Sequence, residues 1–365
     1  MKKLIFPLIV ILVGSFANAG NRSDKKLFSK KYIKHAMETA AIWQFEHPKH
    51  KLYDWTNGAL YAGVFAAWET TGSKKIWNNM IAMGDSNQWK AGPRLTHADD
   101  YAIGQTYIDL YRVTKDKKMV EPFRARVDEF MAAPYQTGEI NPITWWWCDA
   151  LFMAPPAMVK LGVTFNEDKY FKYSDKLFRE TYDLLYDKEE DLFARDMKYQ
   201  TTWKEPIYEA NGKKIFWSRG NGWVMGGLVR ILEELPKDYE SYSFYEELYK
   251  EMAARIATLQ QDDGLWRASL LDPAGYPGGE ASGSGFYTYA LAWGINNGVL
   301  DKEAYLPLVR KAWIGLTTLI QPDGHIGWCQ PVGADPRKNF TADSWEVYGT
   351  GAFLLAGSEV FKIKW

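Results

Sequence analysis

The chain has 365 residues, of which 47% are hydrophobic and 24% are charged, and its formal net charge is -1. A nucleic-acid partner requires a basic excess, so this charge balance excludes that class of function. The length suits either two domains or one large closed architecture. The 17 Trp and 22 Tyr residues supply many flat rings with a polar edge. Rings of this kind stack on sugars, which makes carbohydrate binding a first hypothesis.

The N-terminus predicts export. A short basic start precedes an apolar stretch over 4–13 and the small-residue site Ala17-Asn18-Ala19, which is the pattern of a cleaved secretory signal peptide. We therefore expect a signal peptide over 1–19 and a single catalytic domain over 20–365, in a bacterial protein that is periplasmic or secreted. No later apolar run reaches the length that spans a bilayer, so we expect no membrane span.

The remaining chain predicts an all-α protein. Few runs alternate between apolar and polar residues, whereas long segments carry apolar residues every three or four positions. One example is the stripe of Val224, Leu228, Ile231, Leu232 and Leu235. The predicted helices cover 29–46, 57–72, 74–86, 99–114, 118–133, 147–161, 167–186, 219–234, 240–261, 281–297, 303–320 and 343–362.

These helices alternate in character. One set is rich in Gly, Ala and aromatic residues and carries few charges, while the other set is rich in Lys and Glu. Uncharged helices are buried and charged helices face water. The alternation predicts six inner helices wrapped by six outer helices, an (α/α)6 barrel. Asp343 and Glu346 have the spacing of a capping box at the start of the last inner helix.

The loops that enter the uncharged helices concentrate the polar and aromatic residues. In the predicted barrel these loops converge at one mouth, where Trp, Asp and Arg line a cleft. The long connection over 187–218 is predicted to form a lid or a pocket wall. The converging loops cover 54–57, 96–100, 145–149, 217–221, 280–283 and 343–345.

Asp149 is the leading candidate for a catalytic acid, because it directly follows the three indoles Trp145-Trp146-Trp147. Burial disfavours an ionised carboxylate, so an aspartate among aromatic rings should keep its proton at a higher pH than a free one. The alternative is a structural role, in which Asp149 caps the helix that begins at Ala150. The sequence alone leaves both interpretations open.

A second acid is expected near Asp149. Asp99 and Asp100 lie at the entrance of another inner helix, and paired carboxylates push each other's proton affinities apart. For one of the two, a helix N-terminus enriched in acids is a sufficient explanation. Arg219 and Trp223 are four residues apart and therefore share a helix face. An arginine fork there suits a carboxylate or sulfate, or else a neighbouring aspartate.

Other chemistry has little support. The five histidines lack the spacing of a zinc site, and no phosphate-binding loop or serine nucleophile elbow is present, so we expect neither a metal nor a cofactor. Cys148 and Cys329 are the two cysteines. They are expected to be buried and unpaired, although a disulfide between them is the alternative.

Several long motifs resemble glycoside hydrolase family 105, the unsaturated rhamnogalacturonyl hydrolases, and its neighbour family 88. The resemblance implies an (α/α)6 barrel that acts on oligosaccharides made by a polysaccharide lyase, whose non-reducing end is a 4,5-unsaturated uronic acid. It also implies that Asp149 is the catalytic aspartate and that Arg219 and Trp223 hold the uronate. The motifs cover 97–101, 147–156, 216–223 and 281–294.

The resemblance implies hydration of the sugar's double bond. Protonated Asp149 delivers a proton to C4, an oxocarbenium-like centre forms at C5, and the resulting carboxylate activates the water that attacks C5. Arg219 is expected to bind the uronate carboxylate, and Trp223 or Trp147 to stack on the ring. Further contacts with the substrate are expected from residues of the mouth loops, namely Trp55, His97 and Trp217.

Arg195 marks a departure from the family. Members that act on rhamnogalacturonan place a histidine in the 187–200 segment, whereas this chain has no histidine there. An arginine in that place suits an additional anion, such as the sulfate of ulvan fragments. Two alternatives remain, a sugar-binding protein without catalysis and an (α/α)6 polysaccharide lyase.

Overall fold

A computed structural model describes residues 24–135, 137–138 and 142–365. The predicted signal peptide over 1–19 lies outside the described residues. Twelve long helices are found within the described ranges, and we number them in chain order. They are α1 Lys30–Glu46, α2 Trp55–Thr71, α3 Lys74–Ser86, α4 Gly104–Thr114, α5 Glu121–Ala132, α6 Pro155–Phe165, α7 Asp168–Leu185, α8 Ser218–Leu232, α9 Tyr242–Thr258, α10 Ala281–Asn296, α11 Lys302–Thr318 and α12 Val347–Lys362.

The even-numbered helices form a closed inner ring. Each packs on the next, from α2 through α4, α6, α8 and α10 to α12, and α12 closes the ring against α2. The odd-numbered helices lie outside this ring and pack on the inner helices. The fold is therefore the predicted (α/α)6 barrel. Because every inner helix runs in the same direction, the six loops that enter these helices meet at one end of the barrel, which we call the mouth.

Composition explains which helices are inside. Every residue of α8 is buried, as are nearly all residues of α10 and α12, which fits their low charge. The predicted apolar stripe of α8 is buried, and the helix ends at Leu232. Small residues bring the inner helices together. A Cβ atom on Gly63 would lie 2.2 Å from the carbonyl oxygen of Gly351, so any side chain at this crossing would separate α2 from α12.

The predicted capping box is wrong. Helix α12 begins at Val347, and Glu346 occupies the N-cap without a side-chain hydrogen bond to the helix. The carboxylate of Glu346 instead pairs with Lys49 and His50, each at 2.8 Å. Asp343 is exposed in the preceding loop. Two side chains from the loop after α1 therefore take the place of the local backbone donors.

Two predicted helices are interrupted. The segment over 99–114 is a 3-10 helix at Ala98–Tyr101 followed by α4. The segment over 147–161 is a short helix at Ala150–Met153 followed by α6, which begins at Pro155 because proline cannot donate a backbone hydrogen bond inside a helix.

The all-helical prediction missed one small hairpin. Strands β1 Tyr186–Asp187 and β2 Leu192–Phe193 pair antiparallel in the connection between α7 and α8. A short 3-10 helix follows at Met197–Tyr199. The connection predicted as a lid or pocket wall is thus a structured arm that starts beside the mouth.

Cys148 and Cys329 are both buried and free, which confirms the prediction of unpaired thiols. Among the described residues, no helix combines the length and the apolar character needed to cross a bilayer.

Candidate active site

Asp149 lies at the mouth, at the end of the loop that carries the three indoles. Its side chain makes no capping hydrogen bond to the helix that follows, so the structural alternative for this residue is wrong. The residue is only 8% exposed. The backbone N–H of Cys148 donates to the carbonyl of Arg195 at 2.9 Å, which fixes the loop against the α7–α8 connection.

Burial raises the pKa of Asp149, and two cations oppose the shift without cancelling it. The nearer is Arg195, whose Nε lies 3.7 Å from Oδ2 of Asp149. Arg219 is the second. A desolvated carboxyl with nearby cations can hold a proton and can also become charged after giving that proton away, as an acid that turns into a base must do.

Asp100 is held by Arg94 in the loop before α4, and its catalytic role stays a prediction. Its carboxylate accepts hydrogen bonds from the backbone N–H of Arg94 at 2.5 Å and from Arg94 Nε at 2.9 Å. Its backbone carbonyl accepts from Gly92 at 2.9 Å. Asp100 therefore closes the loop before α4 and has little remaining capacity to reach a substrate.

Asp99 is the second acid near Asp149. Burial, and next the negative charge of Asp149, raise its pKa to about 7, although Arg94 pulls in the other direction. Its Oδ2 lies 3.6 Å from Arg94 Nη2 and 3.5 Å from His97 Nδ1. Because two negative charges are disfavoured in this buried place, ionisation of Asp149 makes Asp99 harder to ionise.

His97 is neutral beside this pair. Burial, assisted by Arg94, lowers its pKa to about 4. The His97 ring packs on Trp147 with ring centroids 4.4 Å apart, and its Nδ1 has no hydrogen bond. A neutral imidazole with a free nitrogen can donate to or accept from a sugar hydroxyl. The structure thus brings the predicted residues Asp99, His97, Trp147 and Arg195 together around Asp149.

Arg219 is held differently from the prediction. Its side chain is fully buried, Nη1 donates to the carbonyl of Gln330 at 2.7 Å, and Nη2 donates to that of Pro331 at 3.0 Å. The guanidinium lies over the rings of Trp217 and Tyr348. Each terminal nitrogen therefore donates one hydrogen bond to a backbone carbonyl, and the predicted contact with the uronate stays a prediction. The Nε atom is buried without a hydrogen bond.

The aromatic residues predicted to contact the substrate differ in how exposed they are. Trp223 is fully buried inside the barrel, so its predicted stacking face is not presented at the mouth. Trp217 is also buried, and its Nε1 donates to Gln330 Oε1 at 2.7 Å. Trp55 is half-buried and stacks on Tyr348. Of these three predicted aromatics, only Trp55 offers a partly open surface.

Two residues escaped the sequence reasoning. Trp146 is half-buried, and its ring centroid lies 5.4 Å from the Arg195 guanidinium. Its place among the three consecutive indoles could have identified it as a site residue. Gln330 joins Trp217, Arg219 and Tyr348 through its side chain and carbonyl. It lies in a loop without a recognisable motif. Within the described ranges, no group of three or more His, Cys, Asp or Glu residues has the arrangement of a metal site.

Comparison with known proteins places this site in a family. The family described as Glycosyl Hydrolase Family 88 matches residues 28–364. A curated protein of Formosa agariphila, named unsaturated 3S-rhamnoglycuronyl hydrolase, is 46% identical over 364 residues, with 94% of this chain and 96% of that protein covered. The chain therefore belongs to glycosyl hydrolase family 88, and it is a glycoside hydrolase.

Two solved structures share the architecture. A family 88 glycosyl hydrolase from Bacteroides vulgatus is 33% identical with a TM-score of 0.83, and the match covers 92% of this chain and all 100% of that one. A protein named as a polysaccharide lyase is also 33% identical, with a TM-score of 0.82 and coverage of 92% and 97%.

Exchange of Asp99 and Asp100 for Asn should separate their roles. Asp100→Asn should lower the free energy of unfolding by about 1–3 kcal/mol, because Arg94 loses its charged acceptor. Asp99→Asn should leave it unchanged or raise it, because Asn brings no charge into a buried place. Denaturant unfolding measures both, with exposed Asp343→Asn as the control.

The pH dependence of the free energy of unfolding provides a further test of the role of Asp99. The folded pKa of Asp99 lies above that of an unfolded chain, so the native state binds more protons and this group's contribution to stability falls as pH rises from about 4 to about 7. Asp99→Asn should remove this contribution and flatten the stability profile. A larger loss of stability for Asp99→Asn than for Asp100→Asn contradicts the assignment.

Proposed function

We propose that the protein removes a 4,5-unsaturated uronic acid from the non-reducing end of lyase-generated oligosaccharides. The observation that carries this proposal is a buried carboxyl, Asp149, whose pKa is raised and which stands beside a second buried carboxyl and a cation. The relative in Formosa agariphila, named an unsaturated 3S-rhamnoglycuronyl hydrolase, supports it.

In the proposed mechanism, the Asp149 carboxyl protonates C4 of the C4=C5 double bond. The electrons of the double bond form the new C–H bond, and positive charge develops at C5 and the ring oxygen. The Asp149 carboxylate then takes a proton from water as the water oxygen bonds to C5. The hemiketal opens at the C5–ring oxygen bond, and the hemiacetal left at C1 releases the next sugar. Once Asp149 is ionised, its charge raises the pKa of Asp99.

The cations suit an anionic substrate. Arg195 lies between Asp149 and the half-buried Trp146, with its Nη1 already bound to Asp196 at 2.7 Å. Its Nε has no hydrogen bond. We propose that the remaining donors of Arg195 bind a sulfate or carboxylate of an ulvan-type fragment. We further propose the family 105 branch, export to the periplasm or medium, and action downstream of a polysaccharide lyase.

A polysaccharide lyase is the second candidate, because a solved structure with that name is 33% identical to this chain. The two reactions change the ultraviolet absorbance in opposite directions. A hydrolase of unsaturated uronates destroys the conjugated double bond and its ultraviolet absorbance, whereas a lyase creates that absorbance on intact polysaccharide. A sugar-binding protein without catalysis leaves the absorbance unchanged.

Asp149→Asn should lower kcat by about 10³-fold on unsaturated oligosaccharides, since the amide is not a proton donor of comparable strength. The loss of ultraviolet absorbance over time measures the rate. Asp343→Asn, an exposed acid in a mouth loop, should stay within about twofold of the wild type. Retention of more than about a tenth of the wild-type kcat by Asp149→Asn removes the proposed acid.

The ulvan-type substrate is tested with two lyase digests. The wild type should have a higher kcat/KM on the ulvan-lyase digest than on the rhamnogalacturonan-lyase digest. Arg195→Leu should reduce this ratio by about tenfold, because a charge-assisted contact to the anion is lost. Arg195→Lys keeps the charge near Asp149 and serves as the matched variant. Equal turnover of both digests by the wild type contradicts a special role for Arg195.

A further inference from the structure

The arm between α7 and α8 contains a groove outside the acid pair. A cavity of about 860 Å³ is lined there by Lys198, Trp203, Lys204, Ile207 and Tyr208, together with Glu205 and Pro206. None of the residues assigned above to the acid pair or its immediate surroundings lines it. The groove is therefore a separate feature of the same arm.

The groove begins close to the reacting centre. Arg195 lies 3.7 Å from Asp149 and is bound to Asp196. The other oxygen of Asp196 accepts from the backbone N–H of Lys198 at 2.9 Å. Three residues span at most about 11 Å, so the Cα atom of Lys198 lies within that distance of the Arg195 Cα atom. Sugars that extend a short way from the scissile bond can reach this groove.

The arm that carries the groove is tied to its surroundings at two points and also pairs with itself. The hydroxyl of Tyr199 donates to Asp335 at 3.0 Å, and the side chain of Gln200 donates to the carbonyl of Leu184 at 2.9 Å. Tyr208 forms an isolated bridge with Lys214. A surface held in this way is partly organised before a ligand arrives, so less ordering opposes binding.

The chemistry of the groove suits an anionic sugar chain. Neither Lys198 nor Lys204 has an ion-pair partner among the described residues, whereas nearby Lys214 is paired with Asp187 at 2.7 Å. Tyr208 is 48% exposed, and Trp203 is half-buried. Aromatic rings supply stacking faces for sugars and unpaired ammonium groups attract anions, while Glu205 still leaves a positive excess in the groove.

We propose that this groove is a subsite for the sugars on the leaving-group side of the scissile bond. Lys198 and Lys204 bind anionic groups of those sugars, either sulfate esters or uronate carboxylates. This inference rests on the proposed function, and it adds that the enzyme prefers longer anionic oligosaccharides to disaccharides.

The test compares kcat/KM on three substrates with an unsaturated uronate end: a disaccharide, a sulfated tetrasaccharide and the same tetrasaccharide after desulfation. Lys198→Ala/Lys204→Ala should lower kcat/KM for the sulfated tetrasaccharide by about 5- to 20-fold and leave the disaccharide within about twofold. Lys198→Glu/Lys204→Glu should lower kcat/KM for the sulfated tetrasaccharide further. Lys237→Ala, an exposed lysine beyond the far end of α8, is the matched control.

The substrates also identify the anion. A smaller effect on the desulfated tetrasaccharide assigns the lysines to sulfate, and an equal effect assigns them to carboxylate. A change by the same factor on the disaccharide and the sulfated tetrasaccharide, or no change on either, overturns the subsite. If the wild type cleaves none of the substrates, the proposed function fails, and calorimetric binding of the sulfated tetrasaccharide to the same variants still tests the groove.

Discussion

The chemistry of this protein depends on the free energy of burying two carboxyl groups close together. Asp149 is buried at the end of the loop that carries the three indoles, and Asp99 adds a second charge nearby, so the fully ionised pair is unfavourable. Arg195 and Arg94 each stabilise one carboxylate without removing the conflict. In the proposed mechanism, this conflict lets the pair release a proton to an acceptor that enters the mouth and take one back from water.

The barrel holds this unfavourable pair in place. Its inner helices approach closely at small residues, and their entry loops are fixed at the mouth by hydrogen bonds to backbone groups. Arg219 connects the start of α8 to the loop before α12, where it binds the carbonyls of Gln330 and Pro331. Its side chain is buried in the barrel wall, and its positive charge opposes the rise in the pKa of Asp149. Arg219 thus links two mouth loops and also influences the pKa of Asp149.

Much of the fold was predictable from the sequence, because the alternation of uncharged and charged helices reports which helices water reaches. The individual side chains were harder to place. Asp99 and Asp100 are adjacent, and only the 3-10 turn that carries them decides which one accepts the hydrogen bonds of Arg94. The spacing of Arg219 and Trp223 gave a shared helix face but not its burial, because α8 is enclosed on all sides. For these residues, contacts with distant parts of the chain determine where the side chain lies, and the local sequence pattern does not report those contacts.

The most direct measurement is infrared difference spectroscopy of the substrate-free enzyme at neutral pH, wild type minus Asp149→Asn. The account predicts a carbonyl band of a protonated carboxyl that is present in the wild type and absent in the variant. Subtraction of the variant removes the contribution of acids outside the pair, such as Glu233, whose pKa is also raised to about 7. A difference spectrum that contains only the bands of an ionised carboxylate contradicts the account.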